Sequence, residues 1–211
     1  MIKLNKMPKP NILVDKEVEW TEVLIRKKAL GESPTTTEKS RYRHPEIKTA
    51  LIQETSGKCA YCESKLEHIT YGDVEHISPK STELEAIFQW DNLTLACDVC
   101  NTNKGDKFPN KEGLVDPYNH DPALRFRMFG PLIFAVPGDN DARYTEITLD
   151  LNRAALLERR KEKIKYLREM VEAVAAASDR LRPRLLEVLE LETAPDQEFS
   201  ALAKSYLDAY L

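Results

Sequence analysis

The chain has 211 residues, 42% hydrophobic and 31% charged, an ordinary composition for a soluble globular protein and enough for one domain or a small metal-stapled domain with a helical extension. No apolar run approaches the ~20 residues needed to cross a membrane and no signal-peptide-like stretch opens the chain, so the expected compartment is the cytoplasm. A net charge of −4 argues against a protein that embraces nucleic acid with its whole surface, and leaves such binding to a local basic patch or to a partner.

Residues 1 to 16 are rich in Lys and Pro and read either as an extended surface segment or as a short strand around Ile12 to Val14. From Val18 to Leu30 the apolar residues Trp20, Val23, Leu24 and Leu30 recur at helical spacing, and Gly31 stops them. A polar linker, Glu32 to Ser40, leads to Arg41-Tyr42-Arg43-His44. This aromatic among basic groups suits phosphate contact with stacking, and it fits a plain exposed loop equally well. Pro45 opens the next helix, where its missing N–H costs nothing, and Ile47, Leu51 and Ile52 form a buried stripe ahead of Gly57.

All four cysteines come next, as Cys59-Ala-Tyr-Cys62 and Cys97-Asp-Val-Cys100. Two CxxC pairs supply the four thiolates of a structural Zn²⁺ site, and no export signal favours disulfides instead. Tyr61 and Trp90 read as packing residues and His68 as a surface residue of a hairpin arm. Between the pairs, Asp73 to Ile77 alternates polar and apolar residues between Gly72 and Pro79, a short strand that ends by presenting Glu75 and His76. Asn92 to Ala96 reads as a second strand, after which Asp98 caps a helix carrying Cys100, Asn101 and Lys104 on neighbouring turns.

Closing the knuckles would bring a carboxylate, an imidazole and an amide together, with an ammonium nearby. Such a set meets the needs of phosphodiester hydrolysis with one hard cation. Glu75 and Asn101 offer oxygen ligands to Mg²⁺ or Mn²⁺, His76 can take a proton from the attacking water, and Lys104 can clamp a phosphate. Asp73 stands as a rival to Glu75 for the metal.

After Lys104, Gly105 to Pro109 end the helix, and Lys107 and Lys111 either extend the phosphate-facing side or are simply solvated. Leu114 to Pro117 and His120 to Pro122 form tight turns. Leu132 to Val136 and Tyr144 to Leu149 then read as two strands of a hairpin joined across Pro137 to Asp141. From Asn152 a long helix shows Leu157, Ile164, Leu167, Val171 and Val174 as its packed stripe and Arg159 to Lys165 as a basic exposed face. Thr193 to Asp196 reads as a capping box before a last helix with Phe199, Leu202, Ala203, Tyr206, Leu207 and Tyr210 on one face. That stripe either folds back on the long helix or docks into a partner's groove. The expected division is 1–57, an N-terminal helical segment; 58–113, the zinc-stapled core; and 114–211, a hairpin with a helical extension.

At the motif the sequence resembles the HNH endonucleases, the ββα-metal family, in a zinc-stapled form. The resemblance implies an α+β fold built on a ββα-metal core. It makes Glu75 the first metal ligand, His76 the general base, Asn92 the asparagine that orients the base, Asn101 the second ligand and Lys104 the lysine that commonly follows. The family more often has Asp in place of Glu75, and often His in place of Asn101. Beyond the motif, the order of N-terminal helix, knuckle, Glu75-His-Ile-Ser-Pro-Lys80 core, Val-Asp-Pro turn and Leu151-Asn-Arg153 helix start resembles the PtuB family of HNH nucleases from Septu defence systems and their retron-associated relatives. That likeness implies a bacterial antiphage nuclease acting on DNA, with RNA as the alternative substrate, under an ATPase partner of the SMC or ABC type. Two rival readings share the motif: a zinc-stapled binding module without catalysis, and a stand-alone restriction-type nuclease that cuts without a partner.

Overall fold

The computed structural model describes residues 1–66, 72–81, 84–107 and 113–210; the expectations for His68, Pro109 and Lys111 lie outside them. Helix α1 (Asn11–Ala29) begins well before Val18 and occupies the place of the strand considered around Ile12. The Pro10 carbonyl accepts from the Leu13 and Val14 N–H groups at 2.9 and 3.1 Å, and the otherwise unpaired Ile12 N–H donates to Glu46 Oε1 at 3.0 Å. That carboxylate belongs to another helix, so no local pattern announces the start. A short α2 (Thr36–Ser40), closed by a capping box between Thr35 and Glu38, runs into a 3₁₀ turn at Arg41–Arg43 whose Tyr42 is buried. Helix α3 (Pro45–Glu54) starts on its proline and buries Ile47 and Leu51.

Strands β1 (Asp73–His76) and β2 (Leu93–Ala96) pair antiparallel, with Glu75 opposite Thr94 and His76 opposite Leu93. All of β2 is buried, so this pair lies inside the core. Gly72 enters β1 at φ 61°, a conformation that favours glycine, and a Cβ there would stand 2.7 Å from the Leu66 side chain, which would have to shift. Helix α4 (Asp98–Lys104) follows β2 directly. Its N-cap is Cys97 rather than Asp98: the thiol sulfur accepts from Cys100 N–H at 3.4 Å, which places Asp98 inside the first turn at the positive end of the helix.

Further along, α5 (Pro122–Arg125) leads into β3 (Phe126–Phe129), which pairs with β4 (Leu132–Ala135) across Gly130 at φ 54°. The strand expected at Tyr144 to Leu149 is instead helix α6 (Asn140–Thr148), and the partner of β4 precedes it in the chain. Asp139 caps α6 by accepting from Ala142 N–H at 2.9 Å, and Arg125 grips the same carboxylate through two bonds of 2.6 and 2.7 Å. The Thr145 hydroxyl donates to Asp141 O and accepts from Val115 N–H, at 2.8 and 2.7 Å. These contacts override the strand preference of Thr145, Ile147 and Thr148.

Helices α7 (Ala154–Ala176), α8 (Arg182–Leu191) and α9 (Ser200–Tyr210) form the C-terminal part. Leu167, Val174, Leu189, Ala203 and Leu207 build a second core there, while Phe199 and Leu202 join the main one. Most of the apolar stripe of α9 is therefore used within the chain, while Tyr210 at its end stays exposed. Thr193 does not cap α9, since its hydroxyl donates back to Glu190 O at 2.8 Å; Glu63, beside the first knuckle, accepts from Ser200 Oγ and Ala201 N–H, both at 3.2 Å. The basic face expected over Arg159 to Lys165 is neutralised. Arg159 pairs with Glu162 and Glu198, Lys161 with Glu158 and Lys163 with Glu192, and buried Arg160 donates to the carbonyls of Pro131 and Leu151. Among the described residues no helix is long and apolar enough to cross a membrane.

Candidate active site

The thiol cluster is assembled from two stretches that β2 joins. Ala60 N–H donates to Leu95 O at 2.9 Å, so the first knuckle is stitched to the strand that ends at Cys97. The four sulfurs of Cys59, Cys62, Cys97 and Cys100 lie within 4.8 Å of one another, with Cys62 and Cys97 at 3.9 Å. Tetrahedral zinc with bonds of ~2.3 Å needs sulfurs about 3.8 Å apart, so the cluster fits that ion.

Arg153, at the start of α7, lies over this cluster. Its guanidinium nitrogens are 3.8, 3.7 and 3.6 Å from the sulfurs of Cys100, Cys62 and Cys97. Four thiolates around one Zn²⁺ leave an excess of negative charge, which one guanidinium partly offsets. The Leu151-Asn-Arg153 stretch is visible in the sequence; its target, 53 residues back at Cys100, is not. Arg153→Gln is expected to weaken zinc binding ~10-fold or more, the usual effect of removing a group that supports metal ligands. Competition with a chromophoric chelator measures this, alongside an unchanged helical circular dichroism signal. Unaltered zinc affinity would reduce Arg153 to a helix-start residue.

Glu75, His76 and Asn101 border one cavity of about 200 Å³, together with Arg43, Lys80 and Asp106. The imidazole of His76 is almost wholly buried, edge-on to the Tyr42 ring at 4.5 Å between centroids, and its Nε2 lies 3.0 Å from Ile87 O. A carbonyl can only accept, so Nε2 carries the hydrogen in the neutral ring and Nδ1 is left as the basic atom. Burial, opposed by the bond to Ile87, pulls this imidazole down to about 4, so the ring is neutral at pH 7.

Asn92 stands apart from the role the resemblance assigns it. Its amide accepts from Ser78 N–H at 2.6 Å and donates to Ser78 O and Ala86 O at 3.1 and 2.9 Å, with no bond to the imidazole. It braces the loop next to Ile87, and the Ile87 carbonyl holds the ring. A backbone carbonyl has no sequence signature, which is why this partner was not readable. Lys104 likewise is no surface clamp. Only 1% exposed, it donates to His76 O at 2.7 Å and meets Glu75 Oε1 at 2.9 Å, so its charge is spent on the site's own frame.

Burial pushes the Glu75 carboxyl above its ordinary value, against the pull of Lys104. Asp73, the rival carboxylate, instead accepts from Asn101 Nδ2 at 3.0 Å. That bond fixes the orientation of the amide and leaves Asn101 Oδ1 as the free acceptor. Glu75 and Asn101 thus bring hard oxygens to the cavity wall, a donor set suited to Mg²⁺ or Mn²⁺. Asp106, just past α4, was not singled out from sequence; it also borders the cavity and accepts from Ser81 Oγ at 3.2 Å.

Two short antiparallel strands followed at once by a helix, all tied to a four-thiol cluster, agree with a comparison of sequences: residues 59–107 match the family model described as HNH endonuclease. The chain carries an HNH endonuclease domain. It is 29% identical to the Septu protein PtuB of Bacillus thuringiensis, over 98% of this chain and 82% of that protein. It is also 28% identical to the Septu protein PtuB of Bacillus mycoides strain KBAB4, over 52% of this chain and 43% of that one. The HNH domain therefore accounts for the motif, while the likeness to the first relative runs through the N-terminal helices and the C-terminal extension as well.

Proposed function

We propose that this chain is a metal-dependent endonuclease that hydrolyses phosphodiester bonds of DNA, stapled by zinc on Cys59, Cys62, Cys97 and Cys100. The observation that carries the reading is a neutral His76 with its Nε2 committed to Ile87 O, on the wall of a cavity that also has the oxygens of Glu75 and Asn101. Glu75 and Asn101 would hold Mg²⁺ or Mn²⁺, which when bound supplies Lewis acidity towards a phosphate oxygen and the leaving 3′ oxygen. His76 takes the proton of the attacking water at Nδ1. Lys104 holds the Glu75 carboxylate and the His76 backbone in place, and Asp73 holds the Asn101 amide. Arg43 and Lys80 add positive charge at the mouth, where a phosphate arrives.

The likeness to Septu proteins supports a role in antiphage defence; we further propose that the chain acts in the cytoplasm under the control of an ATPase partner of the SMC or ABC type. A net charge of −4 is consistent with a partner that contributes part of the affinity for nucleic acid.

Plasmid nicking by the zinc-loaded protein, with and without Mn²⁺, tests the chemistry. Wild type is expected to cut only with the divalent ion, Glu75→Gln to lose cutting, and Asp73→Asn to keep it at a several-fold higher Mn²⁺ requirement. A greater loss for Asp73→Asn than for Glu75→Gln would move the ligand role to Asp73. No divalent-dependent cutting at all would favour the zinc-stapled binding module.

A further inference from the structure

A second, larger hollow of about 770 Å³ lies between the C-terminal end of α1, helix α2 and the 3₁₀ turn at Leu84–Ala86. It adjoins the catalytic cavity, since Tyr42, Arg43 and Lys80 border both. Its cations are Lys28, Lys39, Arg43 and Lys80, against the single carboxylate of Glu32. None of these four forms an ion pair with a carboxylate among the described residues, in contrast to the paired run on α7. Lys80 instead donates to the Tyr42 hydroxyl at 2.9 Å, and the Arg43 guanidinium stands 5.5 Å from the Tyr42 ring centre. In a chain with a net charge of −4, unpaired positive charge has been gathered along one groove that ends at the candidate base.

The lining is not only cationic. Half-buried Pro34 and Leu84 contribute apolar surface to the same groove, with the buried Leu24 and Ile87 beneath them. A duplex keeps its bases stacked inside and presents phosphates and groove edges, so it gains nothing from an apolar lining set in a recess. An unpaired strand can lay bases against such a surface while its phosphates meet cations at the edges. We infer that this groove binds an unpaired nucleic-acid strand and leads it past Arg43 and Lys80 to the catalytic cavity. The nuclease reading supplies the purpose of that path, but binding in the groove can be measured without any cutting.

The test uses the full-length, zinc-loaded His76→Ala protein and fluorescence anisotropy with a labelled 20-nucleotide DNA strand, the RNA strand of the same sequence, and the DNA duplex. Either single strand is expected to bind tighter than the duplex. Adding Lys28→Gln and Lys39→Gln, two exposed helix-end residues outside the catalytic cavity, should weaken single-strand binding several-fold at low salt. Each phosphate contact on a single strand contributes about 0.7 to the slope of log affinity against log salt, so the double change should flatten that slope by about 1.4. Duplex binding as tight as that of both single strands, or an unchanged slope in the double variant, overturns the groove. Cutting is read separately in a background with His76: divalent-dependent cutting together with an unchanged slope would sink the groove alone, and groove-dependent binding in a protein that never cuts would sink the nuclease reading alone.

Discussion

Cys97→Ser is expected to lose the metal and with it the folded centre of the molecule, rather than merely to slow a reaction. Structural zinc can supply ~10–16 kcal/mol of apparent binding energy that is also folding energy. The supports around the cluster are too small to replace it. β1 and β2 have four residues each, and α4 has seven. Cys97 has a second task as well, because its sulfur caps α4. A serine hydroxyl is itself a preferred N-cap, so this replacement can keep the start of the helix that carries Asn101 and Lys104, and the loss reports the metal. Zinc content and thermal unfolding of the purified protein measure the effect. A Cys97→Ser protein that melts like wild type and holds no zinc would show that the cluster is not a metal staple.

His76→Ala is the change expected to cost most in chemistry while sparing the frame. A positioned general base is typically worth ~10²–10⁴ in rate. The replacement leaves Glu75, Lys104 and the four cysteines in place, and the Lys104 bond to His76 uses the backbone carbonyl, which alanine retains. Some stability is lost, since Tyr42 loses its edge-on partner and Ile87 O its donor. Zinc content and single-strand binding should therefore persist while divalent-dependent nicking falls below detection. Nicking at the wild-type rate would remove His76 from the reaction and return the molecule to a binding module. Phenylalanine, a second replacement, refills the space beside Tyr42 without a basic atom, so a loss of rate shared by both variants separates chemistry from packing.

The features readable from sequence are those whose spacing is local. Two residues between paired cysteines put both sulfurs within reach of one ion. The alternation from Asp73 to Ile77 and the helical spacing of Cys100, Asn101 and Lys104 made β1 and α4 legible, and they brought Glu75, His76 and Asn101 to one wall. The N-terminal helix over Val18 to Leu30 and the helix from Pro45 were likewise legible, because proline, glycine and apolar period mark them within a few residues.

What only the tertiary structure decided concerns bonds between distant parts of the chain. Helix α1 starts at Asn11 because Glu46 receives an N–H from Ile12, and α6 is a helix because Arg125 and Val115 meet its first turns. Lys104 turned inward because a buried carboxylate and a strand carbonyl await it there, although its side chain is of the kind most often found in water. Asn92 braces a loop, Ile87 O orients the base, Asp73 orients an amide, and Arg153 covers the thiols. Residue type and spacing state which chemistry a segment can carry. Which partner each polar group finally takes depends on what the folded chain places within about 3 Å of it, and a buried donor or acceptor left without one costs about 1–3 kcal/mol.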